Sequence, residues 1–386
     1  MPAKSIPIAP VTGFMDLRSE PDSVPVGGYR YVQNMQVVQK NKLCRMPGWT
    51  RLMDRDTRYN NQDFRDQLQS LTGQSTRLPV TFMFEAESSL KQTKLILSTA
   101  EFVMALNVGT GNYRRLSSTF GNVKSAAQTG DTIVLTNDED PPRYWVFDSP
   151  DLALIPDLQK LGITRVGNVL SWRGITFYMN ITQNGHTFAN RILWSDADKP
   201  LALIPGEESL AGDLGLDSGE AILAAKPLAN IILVYTTRGI WQLGAVGGEE
   251  VFAASKRYDP ERSSEAVLAY PRTLVSTGDT HVYAAQSAFY EYSLFEPKPK
   301  LIEWVHRASS VMFDEIDKAN CAGPVAGYDA ENHHLWISWP PAGQSLPQRS
   351  LVLNTQFPFS TIVDHGFTAF CQFMPREPVQ ILRDWL

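Results

Sequence analysis

The chain has 386 residues, 43% of them apolar and 20% charged, with a formal net charge of −6. That is ordinary globular composition, sufficient for one large domain or two smaller ones. No apolar run reaches the roughly 18 residues a membrane-spanning helix requires, and no basic excess is available to hold nucleic acid by its phosphates. Cys44, Cys321 and Cys371 are far apart and form no Cys-x-x-Cys pair, so reduced thiols are expected. The opening "MPAKSIPIAP" lacks an apolar block of signal-peptide length, and the expectation is a protein made in the cytoplasm.

Residues 1–52 read as an extended arm followed by the first strands. The arm, Ile6 to Val26, is rich in Pro, and "NKLCRMPGWTRL" (41–52) reads as a hairpin strand. Asn41–Lys42 would supply its turn and Pro47–Gly48 its stop. Residues 53–77 read as a small helical insertion: Phe64, Leu68 and Leu71 recur at i, i+4 and i+7, and Gly73 ends the pattern.

From 78 to 370 one cadence repeats six times. A strand leads to a polar turn, such as Thr129–Gly130–Asp131, Arg173–Gly174, Gly278–Asp279 or Glu331–Asn332. A strongly apolar strand follows ("TIVLT", "ITFYM", "IILVY", "HVYAA", "LWISW"), then another turn and an aromatic-bearing strand ("YWVFD", "RILWS", "GIWQL", "FYEYS"). "GTGN" at 109–112 reads as a hairpin turn of the first repeat. Markers on the apolar strands, Leu97, Val134, Phe177, Val234, Val282 and Trp336, are 37, 43, 57, 48 and 54 residues apart. This is near the repeat of four-stranded propeller blades. The prediction is an all-β chain: a β-propeller of six or seven blades, with the tail 371–386 closing or leaving it. A β-sandwich pair with irregular strands is the competing architecture.

The chemistry-bearing residues form no recognisable catalytic set. Six histidines (186, 281, 306, 333, 334 and 365) match neither His-Glu-x-x-His nor His-x-His, and no Gly-x-Ser-x-Gly occurs. His333–His334 would point to opposite faces of a strand. His365 beside Asp364 reads as a polar turn. The acidic runs "NDEDPP" (137–142) and "SDADKP" (195–200) read as solvated turns at equivalent places in their blades. Trp145, Trp172, Trp194, Trp241, Trp336 and Trp339 could form a sugar-binding surface, but strand positions favour blade packing. No enzyme, cofactor or metal is predicted.

The stretch "GFMDLRSEPDSVPVGGYRYVQNMQVVQKNKLCRMPGWTRL" resembles the N-terminal region of propeller proteins from tailed-bacteriophage virions, of the tail nozzle, tail hub or DNA-stabilising type. The matching residues are Asn34, Lys42, Leu43, Arg45, Pro47 and Gly48, with further likeness in "ILWSDADKP", "RGIWQL" and "VYAAQSAFYEYS". The resemblance implies a structural protein of the tail or neck, located in the virion and assembled as a homo-oligomeric ring, commonly a hexamer. Its partners would be itself, portal, adaptor and other tail proteins, and viral DNA that passes through without specific binding; no membrane is implied. An acidic lumen would let DNA slide. The chain is shorter than the larger nozzles, leaving little room for a second platform domain. On this reading the oligomer interface uses Ile6, Ile8, Val11 and Phe14 of the arm with Phe64, Leu68 and Leu71. The alternative is a carbohydrate-binding or glycan-degrading propeller, for which Asp138, Asp140, Asp196, Asp198 and Asp364 would be the carboxylates. A host-side protein-interaction propeller is a third reading.

Overall fold

A computed structural model describes residues 79–107, 113–247, 251–260, 266–316, 323–356 and 359–371, together with the backbone of 35–38 and 42–45. The predicted interface residues Ile6, Ile8, Val11, Phe14, Phe64, Leu68 and Leu71, the "GTGN" turn and the end of the tail lie outside them. The fold is all-β, a six-bladed β-propeller built from six four-stranded antiparallel sheets. Two compact units divide it, Trp49–Asp259 with Thr368–Leu386, and Met1–Gly48 with Pro260–Phe367.

The second of these units begins with a hairpin of β1 (Met35–Val38) and β2 (Lys42–Arg45), in which Val38 pairs with Lys42. Lys42 therefore belongs to the ladder and not to the turn expected at Asn41–Lys42. The larger unit holds four blades. Blade 1 is β3 (Phe82–Glu87), β4 (Thr93–Ser98), β5 (Val103–Leu106) and β6 (Tyr113–Ser117). Blade 2 is β7 (Ser125–Thr129), β8 (Thr132–Thr136), β9 (Arg143–Val146) and β10 (Ala153–Leu154), followed by the short helix α1 (Pro156–Lys160). Blade 3 is β11 (Ile163–Trp172), β12 (Ile175–Gln183), β13 (His186–Trp194) and β14 (Gly212–Gly215). Blade 4 is β15 (Ile222–Leu228), β16 (Ile231–Thr236), β17 (Gly239–Ala245) and β18 (Phe252–Tyr258). The smaller unit holds blade 5, of β19 (Val275–Ser276), β20 (Thr280–Ala284), β21 (Phe289–Ser293) and β22 (Lys300–Leu301), then helices α2 (Glu303–Ala308) and α3 (Ser310–Glu315). Blade 6 is β23 (Val325–Asp329), β24 (His334–Trp339), β25 (Arg349–Asn354) and β26 (Phe359–Val363).

Every blade is a meander in chain order, and the six marker residues all fall on the second strand of their blade. The reason those strands are apolar throughout is visible in blade 2. Ile133 and Leu135 of β8 enter a core with Ile96, Val103 and Trp145, while Val134 between them enters another core with Val166 and Tyr178. Alternate side chains of a strand point to opposite faces, and here both faces are dry. Strand β12 repeats the arrangement: Phe177 and Met179 pack toward blade 4, Tyr178 and Ile181 toward blade 2. The core between blades 3 and 4 is aromatic, with Phe252 edge-on to Phe177 at 5.1 Å and to Trp194 at 5.3 Å between ring centroids, a geometry that aromatic quadrupoles favour.

First strands lie side by side in the larger unit. The Glu87 amide donates to Gln128 Oε1 (3.1 Å), Ser125 Oγ to the Val169 carbonyl (2.9 Å) and Asn168 Nδ2 to the Leu223 carbonyl (2.9 Å). Those bonds link β3, β7, β11 and β15 in succession, so the first strand of each blade is innermost. Residues 368–371 also belong to this unit: the Thr368 hydroxyl donates to the Val80 carbonyl, and Cys371 packs against Leu95 and Leu106. Burial pushes the Cys371 thiol up to about 11, in keeping with an inert thiol. In the smaller unit β1 lies against β26, and all five residues of that outermost strand are buried. Helices α2 and α3 contribute Val305, Met312 and Phe313 to the core of blades 5 and 6.

Candidate functional site

In a four-stranded meander the turns after the first and third strands share one end of the blade, here called the turn end. The loops after the second strand and the crossovers between blades share the other, the crossover end. The two ends of the larger unit differ in what they expose.

The crossover end is closed by charge. Asp138, in the β8–β9 loop, sits 2.5 Å from Arg165 Nη2 on β11, and Arg165 Nε donates to the Asp138 carbonyl at 2.9 Å. Arg165 Nη1 reaches Asn180 Oδ1 (3.2 Å), and Asn180 Nδ2 donates to the Ile222 carbonyl of blade 4 (3.1 Å). Three blades are thereby tied through one guanidinium. Gly167 belongs to this arrangement because a Cβ there would stand 3.1 Å from both Asn180 and Asp138 Oδ1. Burial holds the Asp138 carboxyl above the usual carboxylate range, with Arg165 offsetting part of the effect. Farther along, Glu220 is 4% exposed. It accepts from Lys256 Nζ (2.7 Å), Thr236 Oγ1 (2.6 Å) and Trp241 Nε1 (2.8 Å). Burial alone would raise its pKa; these donors outweigh that and hold it below the usual range. Lys256 also pairs with Asp259 at 2.8 Å.

The turn end is also knitted together. Asp131, in the β7–β8 turn, accepts from the Ser89 amide (2.6 Å) and hydroxyl (2.8 Å) of the β3–β4 turn, and these bonds lower its pKa. Thr129 Oγ1 meets Ser171 Oγ (2.7 Å) and Thr176 Oγ1 (2.8 Å). The Asp198 amide donates to the Gly174 carbonyl (2.8 Å), and Arg173 Nη2 to Asn230 Oδ1 in the β15–β16 turn (2.8 Å). Arg173 and Gly174 both have positive φ, 52° and 78°, the tight hairpin turn for which glycine is favoured. Asp196 is held low by the Lys199 ammonium and the Leu210 amide.

Each of the four blades has an exposed aliphatic side chain at this end: Leu90 (79% exposed) in the β3–β4 turn, Val146 (39%) at the end of β9, Leu210 (44%) before β14 with Ile204 in the same loop, and Val246 (57%) after β17. The crossover end exposes Leu154 on β10 and Phe188 on β13. Lys91, Lys94 and Lys199 are paired with Glu87, Asp148 and Asp196, while Arg114 bonds to the Asp148 and Ser149 carbonyls and Arg173 to Asn230. In the smaller unit, the equivalent β21–β22 loop presents Phe295 at 93% exposure.

The residues weighed in the sequence are distributed differently. "NDEDPP" follows a second strand and "SDADKP" a third, so the two acidic loops stand at opposite ends of the blades and not at equivalent places as expected. Asp138 and Asp140 are thus separated from Asp196 and Asp198 by a strand length, roughly 15 Å or more at 3.3 Å per residue. A glycosidic pair needs carboxylates within about 10 Å. Asp364 follows β26 in the smaller unit. All six tryptophans are buried. Four donate their indole N–H to neighbouring groups: Trp145 to Ser149 O (2.9 Å), Trp194 to Leu210 O (2.7 Å), Trp241 to Glu220 Oε2 (2.8 Å) and Trp339 to Glu315 Oε2 (3.1 Å). His333 Nδ1 lies 3.3 Å from the Tyr328 hydroxyl, and His365 offers its carbonyl to Ser350 Oγ at 2.5 Å. No cluster of three His, Cys, Asp or Glu side chains suited to a metal occurs among the described residues. Sequence reasoning missed Leu90, Leu210 and Val246. The signal available was an aliphatic residue inside an otherwise polar turn, as in "SSLKQ".

No protein-family model matches the sequence, and no curated protein matches it. Among solved structures the chain is similar to YCF48 bound to a D1 peptide, with 10% identity over 74% of this chain and 82% of that one and a TM-score of 0.45. It is also similar to the computationally designed Ika8 protein, with 11% identity over 78% and 92% and a TM-score of 0.43. A third is the extracellular domain of BT4673 from B. thetaiotaomicron, with 12% identity over 69% of this chain, which spans only 32% of that one, at a TM-score of 0.44.

Proposed function

We propose that this chain is an architectural propeller of a tailed-bacteriophage virion, working in the tail or neck as a ring that joins neighbouring proteins around the DNA exit channel. One observation carries the architectural part: four blades each hold an exposed aliphatic side chain at the same end. Leu90 and Val246, each more than half exposed, suit a surface that meets another protein. The virion part rests on the likeness of residues 34–48 and the blade phrases to phage propellers. The strands β1 and β2 formed within that stretch, packed along blade 6, suit a segment that leads from an assembly arm into a propeller. The acidic balance of the chain suits a wall that DNA passes without adhering.

The test is mass spectrometry of gradient-purified phage particles from the source of this sequence, with electron cryomicroscopy of the same particles. The expected result is this chain at a fixed copy number per particle, arranged as a ring. Its absence from intact particles removes the virion assignment.

A further inference from the structure

We infer that the outer edge of blade 4 pairs with the same edge of a second copy, two β18 strands meeting antiparallel about Ala254; the inference stands apart from the virion reading. The fourth strand of a blade is the outer edge of its sheet, and folds guard such edges by keeping them short or covered. In the larger unit β10 has two residues, and β14 has four, two of them glycine. On β6 the Leu116 carbonyl accepts the Leu152 amide at 3.1 Å. Strand β18 runs for seven residues, Phe252–Tyr258, and is the longest outer strand of the described blades.

The phase of its ladder is set at its start. The Val246 amide donates to the Val251 carbonyl at 3.2 Å, and Ala253 and Ser255 stand opposite Gly244 and Gln242. Backbone direction alternates along an antiparallel strand. Val251, Ala253 and Ser255 therefore turn their N–H and C=O toward β17, while Phe252, Ala254 and Lys256 turn theirs outward. Among the described residues no hydrogen bond reaches those outward backbone groups.

The edge is complementary to itself. A register centred on Ala254 sets Ala254 against its own copy, Ala253 against Ser255 and Phe252 against Lys256. Each outward N–H and C=O of the three residues then gains a partner, small side chains fill the middle, and no like charges stand opposite each other. A one-residue slip would set outward groups against inward ones. Lys256 is already held by Glu220 and Asp259, at 2.7 and 2.8 Å, so two copies approach without repulsion between ammonium groups. Such a contact is isologous and closes as a dimer.

The test uses the purified full chain. Sedimentation velocity of the parent is expected to show a concentration-dependent dimer. Ala254→Pro removes an outward N–H that the blade itself does not use, and it is expected to weaken the dimer about tenfold or more with thermal melting close to that of the parent. A mild oxidant reads the register. Ala254→Cys is expected to cross-link to its own copy, because a hydrogen-bonded pair places the two Cα atoms about 5.5 Å apart, a span that a disulfide bridges. Ser255→Cys is more exposed but faces Ala253 of the other copy, and is expected to cross-link about tenfold less. The parent under the same oxidant supplies the background from its own three cysteines. The cysteine pair decides independently of how well the proline variant folds. A parent that stays monomeric up to about 100 µM overturns the proposal. So does a dimer that Ala254→Pro leaves intact, or one that cross-links through position 255 in preference to 254.

Discussion

The two ends of the larger unit are made from the same strands and fasten their blades differently. At the crossover end, Arg165 alone bonds Asp138 and Asn180, and the buried Glu220 takes three donors. At the turn end, turn backbones and hydroxyls share the tying with solvent-facing charged groups, Lys94 with Asp148 and Arg173 with Asn230. The lesson is that the same strands can join blades through a buried charge at one end and exposed ones at the other, and that only the buried one is worth much energy.

The comparison can be broken most severely at Glu220. Glu220→Ala leaves the Trp241 indole N–H without its acceptor in a buried site and takes one of two carboxylates from Lys256, and the expected loss is about 3 kcal/mol of unfolding free energy in urea melts. A loss near zero would mean the crossover end is not the fastening described. Arg165→Ala, at a half-exposed ion pair, is expected to cost less, about 1–2 kcal/mol, and its effect should be non-additive with Asn180→Ala.

Acid titration separates Asp138 from the turn-end carboxylates by sign. Asp131 and Asp196 are held below the usual range by hydrogen bonds from Ser89 and by Lys199. Their contribution is fully present above the unfolded-state value, about 3.9, and is lost as pH falls through the lower folded value. Asp131→Asn should therefore lower Tm at pH 7, by a margin that shrinks as pH falls below about 3.9. Asp138 is held high by burial, so its contribution declines as pH climbs from about 3.9 through its folded value. Asp138→Asn is spared that decline and should compare better with the parent at pH 7 than at pH 3. The smallest effects are expected from Leu90→Ser and Val246→Ser, which should leave stability within about 0.5 kcal/mol of the parent in the same melts. A larger loss would place these residues in the fold's own packing.

The blade pattern was legible because it is set by burial on both faces of short strands. Ile133, Val134 and Leu135 are consecutive and apolar since they serve two cores, and Arg173–Gly174 marks a turn whose backbone favours that pair. The helices α2 and α3 were not read, although Val305, Met312, Phe313 and Ile316 recur at near-helical spacing; they are short and lie between blades, where turns were anticipated. Blade number, left between six and seven, depends on how the chain ends are used, which no local pattern encodes. The paired carboxylates were misplaced because "NDEDPP" and "SDADKP" look alike while following different strands of their blades. The exposed leucine and valines were illegible for a related reason: whether an aliphatic residue in a turn is covered depends on which neighbouring loop reaches it.

The central claim is that this propeller meets other virion proteins through its turn end, and cross-linking mass spectrometry on intact purified particles tests it most directly. Lys91 and Lys199, beside Leu90 and Leu210, should cross-link to a neighbouring protein, while Lys124 and Lys160 of the crossover end should not. Cross-links confined to the crossover end, or turn-end lysines that react as freely in the particle as in the isolated chain, would contradict it.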